Sequence, residues 1–89
     1  MRYVIFKSRC ERDLKLMKRR GKDSDDFLDV ARMLAAQGHL SSEYQPHKLS
    51  GKYEGYWECH IESDWLLIYA VTKREIFLVR TGTHADLFE

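Results

Sequence analysis

With 89 residues, 44% of them hydrophobic, the chain has material for one core and little more, so a single domain over 1-89 is expected and a second is excluded. No apolar run approaches the roughly 20 residues of a membrane span, and Met1-Arg2-Tyr3-Val4-Ile5-Phe6-Lys7 is too short for a secretory signal; a cytoplasmic protein with no membrane partner is expected. The formal net charge of +1 argues against avid nonspecific nucleic-acid binding, yet Met1 to Lys22 holds nine Lys and Arg against only Glu11 and Asp13, which suits a polyanionic partner at one surface.

Tyr3 to Phe6 reads as a first strand. Ser8 offers an N-cap with Glu11 three residues on, the spacing of a capping box, and a helix from about Arg9 to Arg20 follows. Its apolar stripe is Cys10, Leu14 and Met17, while Arg12, Lys15, Arg19 and Lys22 recur at three- and four-residue spacing elsewhere on its surface. A second helix begins near Ser24, whose hydroxyl can cap it, with Asp25 and Asp26 in the positive first turn. Phe27, Val30, Ala31, Leu34 and Ala35 mark its buried face, and Gly38 is its expected stop. Cys10 and Cys59 form neither a CxxC pair nor a dense framework, so buried, reduced thiols are expected.

From His39 to Tyr56 there is no sustained periodicity, which predicts a long connection with a short extended piece around His47-Lys48-Leu49; such loops are often functional. Trp57, Cys59 and Ile61 then alternate with Glu58, His60 and Glu62, the pattern of a strand with one buried face. Trp65 to Val71 is a continuous apolar run expected of a central strand. Glu62-Ser63-Asp64 joins the two as a hairpin, which would bring His60 within side-chain reach of Asp64. A last strand, Ile76 to Thr81, ends at Gly82, with Arg80 expected on the face of Ile76 and Leu78; Thr83 to Phe88 has room for one helical turn. The order β-α-α-β-β-β predicts an α+β fold, a small antiparallel sheet with an αα-hairpin packed on one face and the opposite face open.

The candidates for chemistry are His47, His60, Asp64, Arg80 and His84, with Tyr56, Trp65 and Phe88 as aromatic neighbours. Histidine titrates near neutrality, so a pair can supply a base and an acid in one turnover, and a carboxylate beside an imidazole can orient or charge it. No HxxxH or HxH spacing supports zinc, and neither metal nor cofactor is expected. His39, at a helix exit, reads as a surface residue.

The segments His47-Lys48-Leu49-Ser50-Gly51, Glu58 through Tyr69, and Arg80-Thr81-Gly82-Thr83-His84-Ala85-Asp86-Leu87-Phe88 resemble the signature of YafQ-type toxins in the RelE/ParE superfamily. The resemblance implies an mRNA interferase of a bacterial type II toxin-antitoxin pair, cutting message on the ribosome without a metal, with a cognate antitoxin as partner. It places His47, His60, Asp64 and His84 at catalytic positions and Arg80 and Phe88 at supporting ones. In the expected division, Asp64 with His60 or His47 forms the base side and His84 the acid. Arg80 binds the scissile phosphate, Phe88 or Trp65 stacks on a base, and Arg12, Lys15 and Arg19 meet ribosomal RNA. The competing reading is a ParE-like toxin that inhibits DNA gyrase without cutting RNA; the histidines and Asp64 weigh against it, since a purely binding surface needs no acid and base.

Overall fold

The computed structural model describes residues 1–89. Eight regular elements follow one another: β1 (Tyr3–Phe6), α1 (Ser8–Arg19), α2 (Ser24–Gln37), β2 (His47–Lys48), β3 (Trp57–Glu62), β4 (Trp65–Val71), β5 (Glu75–Gly82) and α3 (His84–Phe88), with short 3₁₀ turns at Ser42–Tyr44 and Gly51–Tyr53. The strands form one five-stranded sheet in the order β1-β5-β4-β3-β2, so the α+β architecture is as expected. The antiparallel expectation holds from β2 to β5. At the other edge β1 lies parallel to β5, because everything from α1 to β4 forms the long crossover that a parallel pair requires.

Both helices begin one residue away from the expected caps. Lys7 still donates its backbone N–H to Leu78 in the sheet, so the N-cap position falls on Lys7 and Ser8 is already helical, with no side-chain cap. In α2 the cap is Asp23, which accepts from the Asp25 N–H at 2.9 Å, and Ser24 is the first helical residue. Gly38 ends α2 at φ 76°, left-handed backbone that favours glycine. The Arg2 guanidinium lies where a Gly38 side chain would project.

The main core lies between the helices and one sheet face. Cys10 and Met17 of α1 and Phe27, Val30 and Leu34 of α2 pack on Cys59, Trp65, Leu67, Tyr69, Ile76 and Leu78. Both cysteines are free and buried; burial pushes the Cys59 thiol up to about 12, which leaves it inert. Trp65, expected as a stacking surface for a base, belongs to this core. It is fully buried, stacked on Phe27 at 6.5 Å, and its indole N–H donates to the Thr81 hydroxyl at 2.9 Å.

The opposite face is not wholly open. Leu87 of α3 closes over Leu66 and Ile68, with Leu49, Tyr53 and Val79 around them. A bulge explains how Arg80 reaches this side. Ile68 pairs with Arg80 while the next residue, Tyr69, pairs with Leu78, leaving Val79 as the extra residue. The alternation inverts there: Ile76 and Leu78 stay in the main core, and Arg80 joins the face of Ile68 and its cross-strand partner Glu58. The expectation that Arg80 shares a face with Ile76 and Leu78 is thus overturned. A second bulge, at Ile61, separates the His60–Leu66 pair from the Glu62–Trp65 pair. No helix is long and apolar enough to cross a membrane.

Candidate active site

The expected site residues come from four places: His47 on edge strand β2, His60 on β3, Asp64 in the hairpin turn, and His84 at the start of α3. Their side chains meet at one end of the sheet, on the face away from α1 and α2, and divide into two groups.

The first group is built on Glu58, which sequence patterning leaves as a polar residue of an alternating strand. Its side chain is only 5% exposed, and one carboxylate oxygen lies 3.3 Å from His47 Nε2 and 3.9 Å from His60 Nε2. Each imidazole commits its other nitrogen to a carbonyl, His47 Nδ1 to Gln45 at 3.0 Å and His60 Nδ1 to Ser63 at 3.2 Å. A carbonyl only accepts, so Nδ1 carries hydrogen in both rings and both Nε2 atoms face the carboxylate. The signal available in the sequence is the cross-strand pairing of His47 with Glu58, which becomes visible only once β2 is recognised as a strand.

The second group is His84 with Asp64. His84 Nδ1 lies 2.7 Å from Asp64 Oδ1, and the same oxygen accepts the His84 backbone N–H at 3.0 Å. That backbone bond, followed by the ring bond, holds the Asp64 carboxyl below its usual range. The expected His60–Asp64 contact is therefore replaced by His84–Asp64, which pairs Asp64 with the histidine expected as the acid instead of with those expected on the base side. The reason is local: the first N–H groups of a helix have no partner within it and attract a carboxylate, whereas His60 is turned back onto Ser63.

The rings of His60 and His84 stand 5.8 Å apart, which brings the two groups together around one small space. Ligand atoms of Glu58, His60 and His84 all lie within 4.8 Å of one another, so these three residues are the ones able to hold a divalent cation. Their separation along the chain hides that capacity from a search for metal-binding spacing.

Arg80 is on the same face of the sheet as Glu58, but its fork is engaged. Its Nε and Nη2 donate to Asp13 of α1 at 2.6 and 3.3 Å, and Nη1 approaches the Tyr53 hydroxyl at 3.5 Å. Beyond Leu78, β5 has lost its β1 neighbour, and Asp13 fills the gap by also accepting the Thr81 N–H at 3.2 Å. Burial of this pair leaves Nη1 as the part of the guanidinium directed toward Tyr53. Phe88 is exposed and lies 6.4 Å from the His84 ring. Arg12, Lys15 and Arg19 are exposed on α1, away from the histidine cluster.

The helix that carries His84 is anchored twice. Thr83 and Asp86 form a reciprocal capping box, and Asp86 takes a bidentate pair from Arg20 at 2.6 and 3.2 Å. The Arg20 bond, then the Thr83 N–H, pulls the Asp86 carboxyl down to about 2. Gly82 admits this arrangement, since a Cβ there would stand 2.9 Å from Asp86 Cβ.

Comparison with known proteins places the whole chain in a family. The profile of a family described as "Bacterial toxin of type II toxin-antitoxin system, YafQ" matches residues 2–89. The mRNA interferase toxin YafQ of Escherichia coli K12 is 35% identical over 88 residues, which cover 98% of this chain and 96% of that protein. Among solved structures, the toxin of the E. coli DinJ-YafQ complex superposes with a TM-score of 0.90 at 33% identity, covering all of both chains. A metal-bound toxin from Helicobacter pylori gives 0.89 at 33% identity, covering 99% of this chain and 100% of that one. The chain belongs to the YafQ family of bacterial type II toxin-antitoxin toxins.

Proposed function

We propose that this toxin is an mRNA interferase, an endoribonuclease that cuts message on the ribosome by general acid-base catalysis, and that a cognate antitoxin holds it inactive. The observation that carries the mechanism is the division of the cluster. His47 and His60 face the buried Glu58, while His84 is held separately by Asp64 with its ring 5.8 Å from that of His60.

RNA supplies its own nucleophile. In the proposed reaction His60 or His47, each with Nε2 toward Glu58, removes the proton of a 2′-OH. The 2′-oxygen bonds to the adjacent phosphorus, and the P–O5′ bond breaks as His84 Nε2 protonates the leaving oxygen. A 2′,3′-cyclic phosphate and a 5′-OH result. The base gains one proton and the acid loses one, so atoms and charge balance with no activated water. Asp64 stabilises the charged imidazole of His84, and Arg80 Nη1 supports the developing phosphorane charge. The convergence of three histidines with two carboxylates also favours this reading over gyrase inhibition, which needs no proton transfer.

The test is cleavage of a ribosome-bound message followed by primer extension. His84→Ala is expected to keep the fold and lose about 10²- to 10⁴-fold in rate. A 2′-deoxy nucleotide at the cut site is expected to abolish cleavage, and a chelator to leave it unchanged. Cutting that survives the 2′-deoxy substitution overturns the mechanism, and intact message with inhibited gyrase overturns the activity.

A further inference from the structure

The acid-base cluster is one end of a longer row of rings. From His84 the row passes to Phe88 at 6.4 Å, then to Tyr53 at 6.0 Å and to Tyr56 at 6.3 Å. Core packing does not account for its outer members. On α3 the residue that seals the face is Leu87, which is buried, whereas Phe88 is 46% exposed, and Tyr56 is 36% exposed. Large aromatic side chains left this open, in sequence along one face, match the stacking platforms on which single-stranded nucleic acids lay their bases.

The spaces beside these rings and the charges at their rims fit the same ligand. A cavity of about 270 Å³ opens between Tyr53 and Phe88, with Lys52 at its edge, and the Lys52 ammonium stands 5.5 Å over the Tyr53 ring. A second, of about 310 Å³, is walled by Tyr56, Phe77 and Val79, with Lys7 at its edge. The first sets Lys52 against two ring walls but also carries Ser50 and Glu89, so its charge is mixed, whereas the second combines a mostly apolar wall with the single cation Lys7, the pairing that takes a base and its phosphate.

We propose that Tyr53 and Tyr56 extend the base contact expected at Phe88 into a track for the nucleotides on the 3′ side of the cleaved bond. The proposal rests on the ribonuclease reading, and its direction follows from the acid. His84 protonates the 5′-oxygen of the departing strand, and the row begins beside His84, so the strand that departs is the one that lies along it. In this arrangement the toxin reads two or three nucleotides through ring faces, which hold any base by stacking rather than by a hydrogen-bond code.

The test uses the exposed ring, because Tyr53 also packs against Leu66, Ile68 and Leu87. Cleavage of a ribosome-bound message is measured for wild type, Tyr56→Ala and Tyr56→Phe, with an abasic nucleotide placed on the 3′ or the 5′ side of the cut. Tyr56→Ala is expected to raise KM about tenfold at unchanged kcat, and Tyr56→Phe to restore it. A 3′ abasic site is expected to raise KM in wild type and to add nothing in Tyr56→Ala, the non-additivity of groups in contact. Unchanged KM in Tyr56→Ala overturns the track, and so does coupling to the 5′ abasic site only. Loss of antitoxin binding at unchanged KM overturns it in favour of a protein-docking face. If wild type cuts no RNA, the ribonuclease reading fails on its own. The track is then judged by quenching of 2-aminopurine in a cut-site 2′-deoxy RNA: quenching lost in Tyr56→Ala upholds it, and quenching absent or unaffected by the substitution overturns it.

Discussion

In the proposed reaction, Glu58 is the residue that both candidate bases face. A carboxylate with 5% of its side chain exposed, facing two imidazoles that each point Nε2 at it, is costly to bury unless polar partners compensate it. Glu58→Gln keeps the shape and removes the charge. It is expected to lower kcat by roughly 10²-fold, at the lower end of what loss of an acid or base costs, with KM and the thermal midpoint unchanged; equal kcat would make Glu58 a packing residue only. The same cluster gives an expectation for added metal. A divalent cation on Glu58, His60 and His84 would occupy the lone pairs that the base needs, so zinc is expected to inhibit cleavage and a chelator to restore it, measured in the same primer-extension assay. Zinc that stimulates cleavage would overturn the proposed metal-free chemistry.

At the scale of elements, α1 and α3 are joined by Arg20 and Asp86, and this pair decides how α3 responds to acid. The Asp86 carboxyl is depressed to about 2, below the roughly 3.9 of an unperturbed aspartate. A depressed carboxyl contributes stability that is present above its unfolded value and is lost as pH falls through its folded value. Docking of α3 should therefore weaken between about pH 4 and pH 2. In Arg20→Gln the loss is expected at higher pH, followed by NMR shifts of His84 and Leu87, and an unmoved acid limb would remove the pair from this role. The exposed face of α1 makes a separate prediction. Arg12, Lys15 and Arg19 are exposed, and the ion pairs of this helix are made by Arg9 and Asp13 and by the following Arg20. Reversing the three charges is expected to weaken ribosome binding and flatten its salt dependence, since fewer counterions are released. An unchanged slope would return the face to simple solvation.

Across the whole molecule, stability and chemistry are held in different places. The main core lies on the helix side of the sheet around Phe27 and Trp65, and the histidines stand at one end of the other face. Phe27→Ala, which empties the centre of that core, is expected to cost about 3–5 kcal/mol in urea unfolding, while His84→Ala, at an exposed position, should leave the urea midpoint in place. A common loss in both variants would mean that site and core are one cooperative unit.

The sequence by itself determined the order of the elements and most of the candidates that the fold brings together. Phe27, Val30, Ala31, Leu34 and Ala35 are all buried as their helical spacing requires, and Trp65 to Tyr69 are all buried as a continuous apolar run requires, because side-chain periodicity follows directly from backbone geometry. His47, His60, Asp64 and His84 were each legible as candidates from their chemistry and from the motifs around them. Tertiary structure alone decided how they pair. The bulges at Ile61 and Val79 invert the alternation without any mark in residue type, which moved Arg80 to the face of Glu58. The free N–H at the start of α3 drew Asp64 to His84 instead of His60. Glu58 reads as an ordinary polar strand residue until β2 closes over it, and Trp65 reads as a stacking surface until Phe27 and Thr81 enclose it. Periodicity is a local property of the chain, whereas the partner of a charged or aromatic group is set by which distant segment the fold brings within hydrogen-bonding or packing distance.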